Sequence, residues 1–167
     1  YRYAHTLLTE PPTSQERFDQ TYRDIGGGRL FPQTLRTLRR ELERYIDRSP
    51  EFGRTLSPLS SIETLPEEPP ESARRMHLAS LATLQAGEAI EPVGPMAAVA
   101  GTFAELMVEA ALASSDSDIV VENGGDISAV LQFPLLVGLF VGSDSPFAGL
   151  AFRLEGDGRM RAVCSSS

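Results

Sequence analysis

Between residues 118 and 133 two apolar runs are separated by four residues whose composition turns the chain back on itself. Asp118-Ile119-Val120-Val121-Glu122 and Ile127 to Phe133 have strand-forming composition. Asn123-Gly124-Gly125-Asp126 between them supplies the positive-φ freedom of a tight hairpin. Just upstream, Met96 to Ala113 is apolar on most sides, interrupted only by Thr102, Glu105 and Glu109 among its larger residues. A membrane span needs about 20 predominantly apolar residues, so this segment predicts a central helix packed closely against a sheet. Leu135 to Val141, Leu150 to Leu154 and Met160 to Cys164 continue as strands, with Asp157-Gly158 marking a further hairpin. The expected fold class is α+β, with helices packed on a mostly antiparallel, meander-like sheet.

The front half supplies the other helices. From Gln33 to Arg48, Leu35, Leu38, Leu42, Tyr45 and Ile46 recur at helical spacing while Arg and Glu residues fill the opposite face. Ser49-Pro50 ends that helix, because proline disfavours α geometry in the residue before it. A polar connection from Glu51 to Pro70 follows, and Pro66-Glu67-Glu68-Pro69-Pro70 in it predicts a semi-rigid spacer. A second helix is expected over Glu71 to Gln85, with Ala73, Met76, Leu81 and Leu84 inward and Gly87 as terminator. Residues 1–28 are polar and weakly periodic, with Pro11-Pro12 and Gly26-Gly27-Gly28 as breakers, so short extended pieces or partial order are expected. The triple glycine is also consistent with residues closed up between Ile25 and Leu30. At 167 residues the chain is long enough for one domain.

Charge narrows the function. A net charge of -8 and a pI near 4.8 argue against a nucleic-acid partner, which would need lysine and arginine to displace counterions. Arg36, Arg39, Arg40, Arg44 and Arg48 alternate with Glu41, Glu43 and Asp47, the pattern of a solvated helix face. No secretory signal or membrane segment is apparent, so a cytoplasmic location is the default expectation. The single cysteine, Cys164, agrees with a reducing compartment.

Three segments could carry chemistry. In the first, Gly124 and Gly125 let a ligand approach the backbone, while Glu122, Asn123 and Asp126 place polar side chains beside them. A plain hairpin explains the same residues without a ligand. In the second, Gly94-Pro95-Met96-Ala97-Ala98-Val99-Ala100-Gly101, a helix start offers free amides to an anionic group. Close packing of small residues is the alternative there. The third is Cys164-Ser165-Ser166-Ser167, where clustered hydroxyls could bind a phosphate or a metal. His5 and His77 lie in no pairing motif and read as ordinary polar residues.

In this order the three segments resemble the ApbE-like proteins, which include flavin transferases that attach FMN from FAD to a protein threonine with magnesium. The nearer resemblance is to a compact ApbE-related family of unassigned function with a Gly-Pro-Met-Ala-Ala-Val-Ala-Gly segment, then Glu-Asn-Gly-Gly-Asp-Ile, then Cys-Ser/Thr-Ser. The likeness runs from about Leu35 to Ser167. It implies an ApbE-like fold, FAD or FMN with Mg²⁺ as candidate cofactors, and relatives that continue past Ser167, so a truncated C-terminus is expected. It makes Asp126 the candidate catalytic and metal-binding residue. Gly94, Met96, Ala97, Glu122, Asn123, Gly124, Gly125, Ser165 and Ser166 become the candidate cofactor contacts. The sequence departs from the transferases in having no lysine between Ala97 and Gly101, Glu122 where their asparagine stands, and no downstream magnesium ligands. Magnesium-dependent transfer and non-catalytic ligand binding or assembly therefore both stand as expectations. The apolar strand Leu135 to Val141 offers an edge that a homodimer would cover.

Overall fold

The computed structural model describes residues 5–7, 30–59, 68–85, 91–113, 118–139, 144–148 and 150–164. Its elements in chain order are β1 (His5–Leu7), α1 (Leu30–Arg48), α2 (Pro50–Arg54), α3 (Glu71–Gln85), a 3-10 turn (Pro95–Ala98), α4 (Val99–Leu112), β2 (Ile119–Asn123), β3 (Asp126–Val130), β4 (Leu135–Gly138), β5 (Ala151–Leu154) and β6 (Met160–Val163). The α+β class is observed. The triple glycine, Pro11-Pro12, Pro66-Glu67, Gly87 and Ser165 to Ser167 lie outside the described residues.

The rear half is not a simple meander. β2 and β3 pair antiparallel from Ile119↔Val130 to Asn123↔Asp126, as the hairpin signal demands. The next strand on β3 is β6, antiparallel, with Ile127↔Val163 and Val130↔Met160. β1 adds to the far side of β2 in parallel, giving the order β1-β2-β3-β6. β4 and β5 leave this sheet and form a separate antiparallel ribbon, Leu135↔Leu154 to Gly138↔Ala151. Strand composition identifies such segments, but it does not say which neighbour each one chooses.

Alternation of side chains gives the main sheet two covered faces. Ile119, Val121 and Val130 meet Leu35, Leu42, Tyr45, Phe52, Ala73, Met76, Phe103, Met107 and Val108 in the larger core. Val120, Ala129 and Leu131 on the opposite face meet Leu154, with Ile127, Leu135, Val137 and Val163 packed around them. Pro95–Leu112 has the length and composition of a membrane-crossing helix. Its Phe103, Ala104, Met107, Val108 and Ala111 are buried in the larger core, which makes it the core helix the sequence predicts. Its start differs from expectation, because Pro95 opens a 3-10 turn before α geometry sets in at Val99.

The polar interruptions of α4 have a structural use. Arg75 on α3 holds Glu109 at 2.8 Å and Glu105 at 3.3 Å on α4, and Glu71 at 2.7 Å on its own helix. These carboxylates keep the guanidinium firmly charged.

Two expectations for the front half need correction. The connection after Ser49 contains a short helix, α2, because proline at a first helical position needs no amide hydrogen bond. Its Phe52 is fully buried and meets Tyr45 edge to face, ring centroids 5.2 Å apart. On α3, Ala73 and Met76 point inward as predicted, but Ser72, His77 and Ser80 share that face, and Leu84 is exposed. Ser80 donates to the Val93 carbonyl, and the Val93 amide donates to Thr83 Oγ1 at 3.2 Å, so the chain entering the 3-10 turn lies along the polar side of α3.

Candidate functional site

The hairpin between β2 and β3 turns on Gly124 (φ 62°) and Gly125 (φ 98°), conformations that side-chain-bearing residues rarely adopt. Asn123 and Asp126 are the closing pair of this turn, so both side chains leave the sheet on the same face. That face is the one covered by α4. Asn123 Nδ2 donates to the Ala100 carbonyl at 3.0 Å, fixing the hairpin tip to the first turn of α4.

One residue along, Gly101 forms the floor beneath Asp126. A Cβ added there would lie 3.4 Å from Asp126 Oδ2 and 3.8 Å from Cys164 Sγ. Cys164 follows β6 directly, and the Ile127↔Val163 register brings it level with Asp126. Three segments far apart in sequence thus meet: the glycine-pair hairpin, the start of α4 and the end of β6. Asp126 is half-buried and Cys164 exposed, so the pair is open to solvent.

The electrostatics of the pair disfavour a reactive thiol. Burial of the sulfur raises the Cys164 pKa, and the negative charge of Asp126 and the hydrogen bond to that carboxylate raise it further. The thiolate is the nucleophilic form. Cys164 therefore stays protonated at neutral pH and serves Asp126 as a neutral hydrogen-bond donor. Its closeness to Asp126 could not be read from sequence, because it depends on β6 rather than β4 pairing with β3.

The other expected contacts divide. Glu122 does not join Asn123 and Asp126, because strand alternation sends it to the face of Val120. There its Oε1 accepts from the Gly125 amide at 2.8 Å, and Oε2 is buried without a partner. Gly94 is buried, and a Cβ there would lie 2.1 Å from the Thr55 carbonyl oxygen, so close packing accounts for this glycine. Met96 packs against the larger core, while Ala97 is exposed. Among the described residues no group of three His, Cys, Asp or Glu side chains is arranged to hold a metal ion.

The sequence reading missed His77. It is fully buried on α3, neither ring nitrogen has a hydrogen-bond partner, and burial lowers its pKa. The available signal was its position one residue after Met76 on the inward face.

Three relatives illustrate the chain's kinship. A UPF0280 protein of Methanocella arvoryzae is 40% identical over 80% of this chain and 49% of its own length. One from Methanosphaerula palustris is 40% identical over 98% of this chain and 62% of its own length. One from Methanothrix thermoacetophila is 41% identical over 100% of this chain and 61% of its own length. The chain thus spans 49–62% of the length of these relatives. The family model described as "AbpE bacteria" matches residues 27–167. These matches correct the kinship drawn from the three motifs: the relatives it resembles are UPF0280 proteins, and the tie to FAD:protein FMN transferases falls away. With most of its length covered by that model, the chain belongs to the AbpE bacteria family.

Proposed function

We propose that the chain binds a small phosphate-bearing ligand together with Mg²⁺ at the junction of the hairpin, α4 and the end of β6. The observation that carries this reading is the half-buried Asp126 carboxylate, set over a helix position without a side chain and steadied by the Cys164 thiol. A lone carboxylate repels a phosphate unless a cation lies between them. Mg²⁺ commonly takes only one or two protein carboxylates and completes its shell with phosphate oxygens and water. A single Asp126 suits a cation brought in with its ligand, and the lack of a three-ligand cluster among the described residues disfavours one held by protein alone.

Binding without turnover is the form this geometry favours. A carboxylate committed to a cation is not free to move protons. A reducing, cytoplasmic setting would preserve the exposed free thiol.

Calorimetric titration with FAD and with FMN, each with and without Mg²⁺, tests the reading. The expected result is binding that requires Mg²⁺ and falls at least tenfold in Asp126→Ala while the circular dichroism spectrum is unchanged. Binding that is indifferent to both magnesium and Asp126 would remove the proposal for this site, as would no binding by either nucleotide or by inorganic pyrophosphate with Mg²⁺. Release of FMN from FAD in the titrated sample would replace the non-catalytic form with transferase or hydrolase chemistry.

A further inference from the structure

The β4–β5 ribbon has one wholly apolar face; beyond its first row Val137 and Leu139 on the β4 side are half-buried, while Phe152 and Leu150 on the β5 side are exposed. Cross-strand partners share a face, so Leu135 and Leu154 form one row and Val137 and Phe152 the next. The Leu139 amide donates to the Leu150 carbonyl at 2.9 Å, which extends the pairing to a third row on the same side. The other face carries Leu136 with Arg153 and Gly138 with Ala151. Leu154 is 9% exposed because it meets Val120, Ala129 and Leu131 of the main sheet. Two and four residues before it on the same face, Phe152 is 51% and Leu150 52% exposed. Phe147, in the connection beyond, is 58% exposed. The ribbon therefore projects past the sheet that should lie beneath it, with its inward face still apolar.

Such a face needs a cover, since contiguous exposed apolar surface marks an interaction site. The family offers one. Matching 98–100% of this chain takes in only 61–62% of the Methanosphaerula and Methanothrix relatives, which leaves over a third of each relative outside the match. A second copy of this chain is the weaker candidate, because each copy carries a net charge of -8. From the ribbon's geometry we infer that the projecting face of β4–β5 seats apolar, strand-forming residues from the part of the family's chain that lies outside this match. Beside the face, β6 pairs only with β3 among the described residues, so it offers a strand edge on which those residues could extend the main sheet beneath the ribbon.

Hydroxyl-radical footprinting compares the 167-residue chain with the full-length Methanothrix protein. The expected result is rapid labelling of Phe147, Leu150 and Phe152 in the shorter chain and labelling at least tenfold slower at their counterparts in the longer one. Leu136, on the opposite face, should label at similar rates in both. Equal rates at the Phe152 and Leu150 positions would overturn the inference. So would a dimer of the 167-residue chain in light scattering that Phe152→Asp returns to monomer, because the face would then belong to a second copy. Neither outcome bears on ligand binding at Asp126, which lies on the other face of the main sheet.

Discussion

The two faces of the main sheet are finished to different degrees. On the helix side, Tyr45, Phe52, Met76, Met107 and Val108 are fully buried, and α1, α2, α3 and α4 all contribute to the core over the strands. On the ribbon side, among the described residues, the buried cluster is the smaller set Val120, Ala129, Leu131 and Leu154, while Leu150 and Phe152 stand in solvent. The residues proposed to bind ligand lie on the finished side. A binding constellation is held only as well as the packing behind it, and Asp126 rests on α4, the most enclosed helix of the chain. The ribbon side instead has the character of an interface awaiting its other half.

The comparison predicts opposite sensitivities for two phenylalanines. Phe52→Ala removes a fully buried ring that packs against Tyr45, and should lower the unfolding free energy by about 3 to 5 kcal/mol in urea titration. Phe152→Ala removes a half-exposed ring and should cost less than about 1 kcal/mol in the same chain. Comparable losses at the two positions would mean the ribbon is as well packed as the helical side, and the contrast would be lost.

His77 sharpens the comparison by locating a flaw within the finished side. Burial depresses its folded-state pKa below the ordinary 6.5, so between those two values the unfolded chain holds a proton that the folded chain refuses. The stability tied to neutral His77 is therefore present above about pH 6.5 and lost as pH falls toward the folded-state pKa. His77→Leu, similar in size, removes two buried nitrogens without partners and should raise stability by about 1 kcal/mol at pH 7. It should also flatten the decline of unfolding free energy between pH 7 and pH 5. An unchanged slope in His77→Leu would assign the acid sensitivity to other groups.

What was legible in the sequence follows the range of the interactions involved. The β2–β3 hairpin was readable because Gly124 and Gly125 encode its turn locally, and α1 because Leu35, Leu42 and Tyr45 repeat at helical spacing. The α+β class followed from these two signals. The β3–β6 pairing was not readable, since nothing in Leu135 to Gly138 distinguishes a strand that joins the main sheet from one that leaves it. With that pairing went the position of Cys164 beside Asp126. Glu122 was misplaced for a different reason: adjacency in sequence suggested shared function, whereas strand alternation sends neighbours to opposite faces. The inward face of α3 was misjudged because hydrophobicity favoured Leu84, while the hydrogen bonds of Ser80 and Thr83 to Val93 set the helix's rotation.

Gly101 gives the smallest expected effect and the one that best separates packing from function. Glycine inside a helix is less stable than alanine by about 0.5 to 1 kcal/mol, and Gly101 has no positive φ angle to justify that cost. An added methyl would lie 3.4 Å from Asp126 Oδ2 and 3.8 Å from Cys164 Sγ, close but ordinary contacts. Gly101→Ala should therefore raise the unfolding free energy by about 0.5 to 1 kcal/mol while weakening magnesium-dependent nucleotide binding, because the methyl fills the floor beneath the carboxylate. The two effects have opposite signs, so loss of folding cannot imitate loss of binding. If the variant gains stability and binds as the parent does, the ligand does not approach Asp126 from the side of α4, and only the outward edge of the hairpin is left as its route.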